Sequence, residues 1–540
     1  MTDVHARIAD PIRAGLAAGW DVVDASRLAA DLAVEADVAI VGSGAGGGTA
    51  AEALALAGLK VVVLEEGPLR SSTDFRMRES EAYPELYQES AARRTVDKAI
   101  AIYQGRCVGG GTTVNWTSSF RTPPATLEHW ARAHAIPGLS VESMAPWFAR
   151  MEARLGIAPW DTSPNANNTA LARGAASLGI ETAPIRRNVR GCWNLGYCGM
   201  GCPTNAKQSM LVTTIPTALA RGAKLVTRVR AERLVLVADR VDRLEAVALD
   251  AGGTTPTARR VVVRARAYVS AAGAIGTPAL LLRSLAPDPH GLVGRRTFLH
   301  PTVVSAALMP ERVDGFRGAP QTVYSDRHLG PAPADGPIGF KLEAAPVHPI
   351  LTAITLPGHG AAHAAWMREL AHLHVQVALL RDGFHPESPG GRVLLRDDGT
   401  PVLDYPLTAY LLDGVRRAFV AMAELQFAAG ARSVMAVHGR GESWTTAARA
   451  RDAITRFDLA PLVTPVFSAH VMGGAPLGPD PSSSVVGLDG RHHGLANLWV
   501  LDGSLFPTSI GANPQLSIYA LVAKLAHGLA ATLAGRRDAA

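Results

Sequence analysis

The chain has 540 residues, of which 48% are hydrophobic and 19% are charged, and its formal net charge is +6. That length exceeds what one hydrophobic core fills, so we expect at least two domains, and the composition argues against extensive disorder. The basic residues are scattered rather than clustered, which argues against a nucleic-acid partner.

Polar and apolar residues mix at helical spacing over residues 1–36, which predicts an N-terminal helical extension. The β-branched run at residues 37–41 then predicts a strand buried on both faces of a parallel sheet. An Ala-rich segment at residues 49–58 predicts a helix that ends at Gly58, and residues 60–64 predict a second buried strand. Together these elements form one βαβ unit.

Between the first strand and the helix lies Gly42-Ser-Gly44-Ala-Gly-Gly47, which fits G-x-G-x-x-G. Gly42 allows the tight turn, Gly44 lets the backbone approach a pyrophosphate, and Gly47 lets the helix pack closely on the strand. Glu65, at the end of the second strand, is placed to bind the adenosine ribose. The predicted dinucleotide contacts here are Gly42, Gly44, Ala45, Gly46, Gly47 and Glu65. This motif does not separate FAD from NAD.

Later segments predict further mixed structure. Residues 125–190 are predicted to be mostly helical, and Val- and Ala-rich runs predict strands at 224–237 and 260–270. Pro- and Gly-rich loops alternate with strand-like runs over 310–450, with a helix near 410–429. A final strand is predicted at 498–501 and a closing helix at 516–529.

We see no secretory signal, no uninterrupted apolar stretch of spanning length and no disulfide framework, so we expect a cytoplasmic protein without an integral membrane span.

Four segments carry a resemblance to a known family. They are Gly105-Arg-Cys-Val-Gly-Gly-Gly-Thr-Thr-Val-Asn115-Trp, Gly273-Ala-Ile-Gly-Thr-Pro278-Ala-Leu-Leu, Ser468-Ala-His470-Val-Met-Gly-Gly, and Val500-Leu-Asp502-Gly-Ser-Leu-Phe-Pro507 with Gly511-Ala-Asn513-Pro514. In this order they resemble the glucose–methanol–choline (GMC) oxidoreductase family, although Ser284-Leu285 replaces the usual Ser-Gly ending of the second segment. The first segment is most similar to the long-chain fatty alcohol oxidase branch.

The resemblance implies an α/β fold with FAD as cofactor. A Rossmann-type FAD-binding domain with a mainly parallel sheet would comprise residues 37–130, 200–309 and 455–540. An α+β substrate-binding domain built on an antiparallel sheet would comprise residues 131–199 and 310–454. The additional FAD contacts that it implies are Val108, Gly109, Gly110, Thr112, Asn115, Asp502, Gly503 and Asn513.

The same resemblance implies that the chain oxidises a primary or secondary alcohol by hydride transfer to flavin N5. A histidine can remove the hydroxyl proton near neutral pH, so His470 is the candidate base and Asn513 would hydrogen-bond the alcohol oxygen. The partners would be a small-molecule alcohol and, as acceptor, dioxygen or an electron carrier. No metal ligand is implied at this centre. We interpret His300, His492 and His493 as surface or satisfied core residues.

Cys192, Cys198 and Cys202, followed by Pro203, resemble the cysteine run that holds an iron–sulfur cluster in some GMC dehydrogenases. Two alternatives are reduced structural cysteines in a tight loop and a disulfide between one pair. Zinc is disfavoured because structural zinc needs four ligands.

Two other functions remain open. The first is an FAD-containing lyase of the hydroxynitrile lyase type on the same fold. The second is an NAD-dependent dehydrogenase that uses only the G-x-G-x-x-G motif, which would leave the 105–116 loop unexplained.

Overall fold

The computed structural model describes residues 8–330, 336–439 and 441–535. Its α-helices are α1 (Pro11–Ala17), α2 (Ala45–Leu56), α3 (Glu79–Leu86), α4 (Gly111–Val114), α5 (Pro124–Ala133), α6 (Val141–Leu155), α7 (Ala166–Ser177), α8 (Thr214–Ala220), α9 (Gly273–Arg283), α10 (Pro349–Thr355), α11 (Gly360–Arg368), α12 (Ala409–Ala428), α13 (Ala447–Thr455) and α14 (Gln515–Gly535). Its strands are β1 (Val22–Asp24), β2 (Leu32–Val41), β3 (Val61–Glu65), β4 (Ile100–Ile102), β5 (Ile157–Pro159), β6 (Ala183–Pro184), β7 (Arg186–Asn188), β8 (Lys224–Thr227), β9 (Val229–Val237), β10 (Arg240–Leu249), β11 (Pro256–Ser270), β12 (Arg295–Leu299), β13 (Thr302–Leu308), β14 (Val323–Ser325), β15 (Phe340–Ala344), β16 (Leu373–Leu380), β17 (Gly391–Leu395), β18 (Pro401–Asp404), β19 (Ser433–Ala436), β20 (Val466–Ser468), β21 (Val471–Gly473) and β22 (Leu498–Val500).

The first sheet contains the predicted βαβ unit. Its strand order is β1-β8-β3-β2-β11-β10-β9, and β22 pairs with β11. Neighbouring strands along the path β1-β8-β3-β2-β11 are parallel, and β22 is parallel to β11. Strands β9, β10 and β11 form an antiparallel meander. Every residue of β3 is buried, as expected for an apolar, β-branched strand covered on both faces. The prediction of a mainly parallel FAD-binding sheet is confirmed.

The predicted helical extension at residues 1–36 is wrong for most of its described part. Only α1, capped by Asp10, is α-helical there. Strand β1 pairs with β8, and β2 begins at Leu32, opposite Val261 of β11. The local mixture of polar and apolar residues suited a helix, but pairing along the long β11 overrides that local preference. The first seven residues lie outside the described residues.

The second sheet has the order β4-β20-β13-β16-β15-β14-β6, with β19 beside β13. Its pairs are antiparallel except for β4 with β20, which fits the antiparallel sheet expected of the substrate domain. Strands β4, β13 and β20 belong to this sheet, although the predicted segments placed them with the FAD-binding domain. The chain therefore crosses between the two sheets more often than the segment boundaries suggested.

One helix in the described part of the chain, α14, is long and apolar enough to span a membrane by length and composition. It packs against α2 and α6, and 67% of its apolar window is buried in the fold. The buried residues include Leu516, Tyr519 and Leu529, which belong to the core of the first sheet. We therefore assign α14 to that core.

Candidate active site

A cavity of about 840 Å³ opens between the glycine-rich turns of the first sheet and one face of the second sheet. At one end it is lined by charged residues, among which Glu66 pairs with Arg230 at 2.9 Å. The other end is lined by side chains of β13 and β16 and by α10. A charged end and an apolar end suit a dinucleotide and an apolar substrate, respectively.

The turn after β2 leaves room only for glycine at key positions. Gly42 has a φ of +97°, and a Cβ at Gly46 would lie 1.9 Å from the carbonyl oxygen of Leu501. A Cβ at Gly47 would lie 1.8 Å from the carbonyl oxygen of Gly42, which agrees with its predicted role in helix packing. The N-terminus of α2 lies at the cavity, where its free N–H groups would favour a pyrophosphate.

Glu65 faces this turn from the end of β3. One of its oxygens accepts a hydrogen bond from the N–H of Ser43 at 3.0 Å, and the other accepts from the N–H of Gly67 at 2.8 Å. Burial raises the pKa of Glu65, and these hydrogen bonds oppose that rise. The carboxylate is thus held at the cavity wall, in the position predicted for a ribose ligand.

The loop at residues 105–116 faces the same turn. Gly109 and Gly110 have φ values of +86° and +52°, and a Cβ at Gly110 would lie 2.8 Å from the Cα of Gly44. A Cβ at Gly111 would meet nothing within 4 Å, because its backbone borders open cavity. The two glycine-rich segments therefore contact each other and together line the cavity, where their bare backbone suits a flat ligand.

The buried Lys207 fixes the end of this loop. Its ammonium donates to the carbonyl oxygens of Thr113 at 2.6 Å, Asn115 at 2.8 Å and Cys198 at 2.7 Å. Burial lowers the pKa of Lys207 to about 8. The sequence analysis missed Lys207, because no motif contains it.

Most predicted site residues line this one cavity. Those that do are Gly42, Gly44, Ala45, Gly46, Glu65, Gly110, Thr112, Asn115, His470, Asp502, Gly503 and Asn513. Gly47, Val108 and Gly109 do not line it and instead pack behind the turns; the N–H of Gly109, for example, donates to the hydroxyl of Ser43 at 3.0 Å. These residues shape the cleft, and their contact with the cofactor stays a prediction.

Asp502 organises the turn before α9. Its carboxylate accepts hydrogen bonds from the N–H of Gly273 at 2.8 Å, from the hydroxyl of Thr277 at 2.6 Å and from the N–H of Ser504 at 2.8 Å. Asp502 also borders the cavity. This carboxylate joins two of the four family-like segments.

His470 lines the cavity and contacts a second histidine. Its Nδ1 is 3.0 Å from Nδ1 of His300, and Nε2 of His300 accepts a hydrogen bond from the N–H of Gly511 at 3.2 Å. That backbone donor assigns the proton of neutral His300 to Nδ1. His300 is a satisfied core residue, as expected, but the sequence analysis missed its contact with His470.

His470 is uncharged at neutral pH. Burial, followed by the positive charge of Lys341, lowers its pKa to about 4. Burial and the neighbouring His470 lower the pKa of His300 as well. Both rings are therefore uncharged at neutral pH.

Asn513 lies on the segment that leads into α14. The residue is 4% exposed, and among the described residues its carboxamide oxygen has no hydrogen-bond partner. Two positions later, Gln515 accepts a hydrogen bond from Nδ2 of Asn115 at 2.7 Å. This contact connects the 105–116 loop to the closing segment at the cavity.

The substrate end is walled by two paired strands. Side chains of alternate residues face the cavity, and across the strands Thr302 lies opposite Leu379, Val304 opposite Val377 and Ala306 opposite Val375. Their neighbours in sequence point to the other face, where α12 packs. Phe467 and Leu356 complete the apolar lining.

The cysteines do not form a metal centre in this structure. Cys107, Cys192, Cys198 and Cys202 are all free, so the disulfide alternative is not realised. Within the described ranges, no three His, Cys, Asp or Glu side chains are grouped to hold a metal ion, and the iron–sulfur interpretation has no support. The carbonyl of Cys198 instead accepts from Lys207, which fits a structural role for this loop.

The residues at the cleft fit FAD. The facing glycines leave room for backbone contact with a flat ring, and the α2 N-terminus and Glu65 suit the pyrophosphate and the ribose. The cleft runs continuously from these groups to His470 and Asn513.

Sequence comparison finds matches along most of the chain. Residues 83–302 and 386–522 match models described as GMC oxidoreductase, and residues 37–78 match an FAD binding domain. A GMC-type oxidoreductase of Sinorhizobium fredii is 30% identical over 92% of this chain and 95% of its own length. A long-chain-alcohol oxidase of Arabidopsis thaliana is 29% identical over 90% of this chain and 66% of its own length.

Among solved structures, pyridoxine 4-oxidase from Mesorbium loti superposes with a TM-score of 0.65 at 20% sequence identity. The superposition covers 91% of this chain and 98% of that chain. At this level of identity the likeness concerns the fold, and it includes both sheets.

Proposed function

This chain belongs to the GMC oxidoreductase family and is an FAD-dependent oxidoreductase acting on CH–OH groups; from that premise we propose that His470 and Asn513 carry out the oxidation of an apolar primary or secondary alcohol. The observation that carries the proposal is that both line one cavity, which both glycine-rich turns also line. Bound FAD would supply the hydride acceptor. The protein's part is to orient the alcohol and move its proton.

His470 is the proposed proton acceptor. To accept at Nε2, it must carry its own proton on Nδ1, which faces Nδ1 of His300. His300 must then hold its proton on Nε2 and release the N–H of Gly511, whose hydrogen bond is 3.2 Å long. The hydrogen bond from Gly511 favours the opposite tautomer, so reception of the hydroxyl proton at Nε2 of His470 requires the proton of His300 to move from Nδ1 to Nε2. His300 is thus proposed as a positioning residue that sets the tautomer of His470.

The apolar wall of β13 and β16 supports an apolar alcohol as the substrate. Val304, Val377 and Ala306 offer no hydrogen bonds to the several hydroxyl groups of a sugar, and burying those groups unpaired is unfavourable. One relative acts on long-chain alcohols by its name, and its branch resembles this chain at the first segment. The proposed acceptor of the electrons is dioxygen or an electron carrier.

The direct test uses anaerobic reduction of the bound flavin. The purified protein is mixed with 1-dodecanol, benzyl alcohol, a sterol and glucose, and loss of the visible flavin absorbance is followed. His470→Ala should keep its flavin but lose reduction by alcohols, since it lacks the proton acceptor. The matched control is His290→Ala, at an exposed position outside the cavity, which should behave as wild type.

The outcomes also separate the alternatives. Reduction of His470→Ala at the wild-type rate would remove His470 from the mechanism. A wild-type flavin that no alcohol reduces, together with cleavage of a cyanohydrin, would instead support the lyase. Comparison of dioxygen with artificial acceptors then identifies the oxidant.

A further inference from the structure

Three adjacent strands present one continuous face to the active site. On β15, Lys341 lies opposite Leu379 and Glu343 lies opposite Val377, the same two β16 residues that pair with Thr302 and Val304. Because directly opposed residues point to the same side of a sheet, the apolar wall continues into two buried ionisable residues. Lys341 is 3% exposed and Glu343 is 0% exposed. Buried charges are unfavourable unless they are paired, so this pair calls for an explanation.

Glu343 connects two side chains that line the cavity. One of its oxygens accepts a hydrogen bond from Nε2 of Gln321 at 2.5 Å. The nearby Asn513 side chain lowers the pKa of Glu343, against the rise that burial causes, and the second oxygen of Glu343 is buried without a hydrogen-bond partner among the described residues. The carboxamide oxygen of Asn513 is buried without a partner among the described residues. The polar group that Asn513 can turn toward Glu343 and the cavity is therefore its NH₂ group.

We propose that Glu343 is a positioning residue, whose carboxylate accepts one hydrogen of the Asn513 amide and thereby directs the second hydrogen toward the alcohol oxygen. This inference rests on the proposed role of Asn513. One oxygen of Glu343 accepts from Gln321, and the other is buried without a hydrogen-bond partner among the described residues, so it can accept from Asn513. An amide at position 343 can accept from only one of the two donors, Gln321 and Asn513. Its own NH₂ group then faces the NH₂ group of the other.

Burial is the largest influence on Glu343 and raises its pKa above the ordinary value. The positive charges of Lys341 on β15 and Arg187 on β7 oppose that rise and so favour the carboxylate. Across β14, the hydroxyl of Tyr324 is the other titratable group, and Lys341 itself lies 3.5 Å from the ring centre of Phe120. Lys341 also lowers the pKa of His470. Protonation of Glu343 would turn one of its acceptor oxygens into a donor. Its effect on Asn513 would then be the same as that of an amide at position 343.

The first test compares Glu343→Gln with wild type by stopped-flow reduction of the flavin with benzyl alcohol or 1-dodecanol. The limiting rate should fall about 10- to 100-fold, as for loss of one preorganised donor, while the half-saturating concentration changes less. The double variant Glu343→Gln/Gln321→Glu exchanges the two groups. It again offers an acceptor to each donor and should recover part of the rate.

A binding measurement separates this inference from the proposed function. Benzaldehyde is neutral and only accepts hydrogen bonds, so its titration against the oxidised flavin spectrum reports the Asn513 donor without turnover. Glu343→Gln should raise the dissociation constant about tenfold, and the exchange variant should lower it again. If no alcohol reduces the wild-type flavin but this binding pattern holds, the proposed function fails and the positioning role stands.

The pH dependence supplies the second test. Lys341→Met should shift the acidic limb of the reduction profile to higher pH in the wild-type background, because Glu343 then protonates more readily. The shift should be smaller in the Glu343→Gln background, where only His470 still responds to Lys341. Glu343→Gln with wild-type limiting rate, benzaldehyde affinity and pH profile would overturn the inference. If Glu343→Gln does not fold, Glu343→Asp takes its place as the background. Equal shifts of the acidic limb on Lys341→Met in the wild-type and Glu343→Asp backgrounds would then overturn the inference.

Discussion

At the scale of single residues, the active centre combines side chains that are far apart in sequence. His470 and Asn513 could be predicted because each lies in a short segment with a family-like pattern. His300 and Glu343 could not, since their positions depend on how β13 and β15 pair with β16. Local sequence carries motif and turn chemistry, whereas strand pairing places a residue beside a distant one.

The pKa of His470 leads to a pH prediction at this scale. Because burial and Lys341 lower that pKa to about 4, the histidine remains an uncharged base from neutral pH down to about pH 5. In Glu343→Gln, where position 343 no longer titrates, flavin reduction by alcohol should therefore stay nearly constant over that range and fall only as the pH approaches 4. In wild type, protonation of Glu343, whose pKa burial raises, should add a fall at higher pH. Stopped-flow reduction between pH 4 and 8 measures this. A midpoint near 6.5 in Glu343→Gln, the ordinary value for histidine, would show that His470 is not desolvated as described.

At the scale of elements, the βαβ unit was predictable and the N-terminal strands were not. The glycines of the first turn and the apolar runs around it carry strong local signals, and β2, α2 and β3 lie within a few residues of their predicted bounds. Strand β1 has three residues and is stabilised by its partner β8, about 200 positions later. No local sequence pattern indicates such a pairing, so the helical spacing of residues 1–36 favoured a helix there.

The close contact of α2 with the closing segment gives an element-scale prediction. In Gly46→Ala the new methyl would lie 1.9 Å from the carbonyl oxygen of Leu501, so the helix must move away from the cleft. We expect a loss of about 1–3 kcal/mol in the free energy of unfolding and a reduced flavin content. Thermal denaturation and the flavin-to-protein absorbance ratio measure the two effects.

The matched control lies within α14. A Cβ at Gly528 would meet nothing within 4 Å, so Gly528→Ala should stabilise its helix by about 0.5–1 kcal/mol and keep the flavin. Equal flavin contents in Gly46→Ala and Gly528→Ala would contradict the described packing of α2.

At the scale of the whole molecule, the cavity joins the two sheets. Its walls come from the glycine turns of the first sheet and from β13 and β16 of the second. The division of the fold into these two sheets followed from the family-like segments, but the exact segment boundaries remain a prediction. Residues near 100, 302 and 466 contribute to the second sheet from within the segments assigned to the first.

A shared cavity predicts that FAD stabilises the whole fold. Removal of the flavin by dialysis against a chaotropic salt should lower the melting temperature, and added FAD at a hundredfold excess over its dissociation constant should restore about 2.7 kcal/mol. Differential scanning calorimetry should show one transition that shifts as a unit. His470→Ala should respond in the same way, since it leaves the cleft intact; a shift confined to one of two separate transitions would contradict the coupling.

The contact between Gly46 and Leu501 has a consequence for biosynthesis. The ribosome releases the first glycine turn long before Leu501 and α14 exist, yet the α2 helix packs against both of them. A nascent chain can therefore form the early strands, but its nucleotide cleft stays incomplete until α14 has left the exit tunnel. Flavin loading should follow the synthesis of α14, and a chain that terminates before α14 should be made without bound flavin.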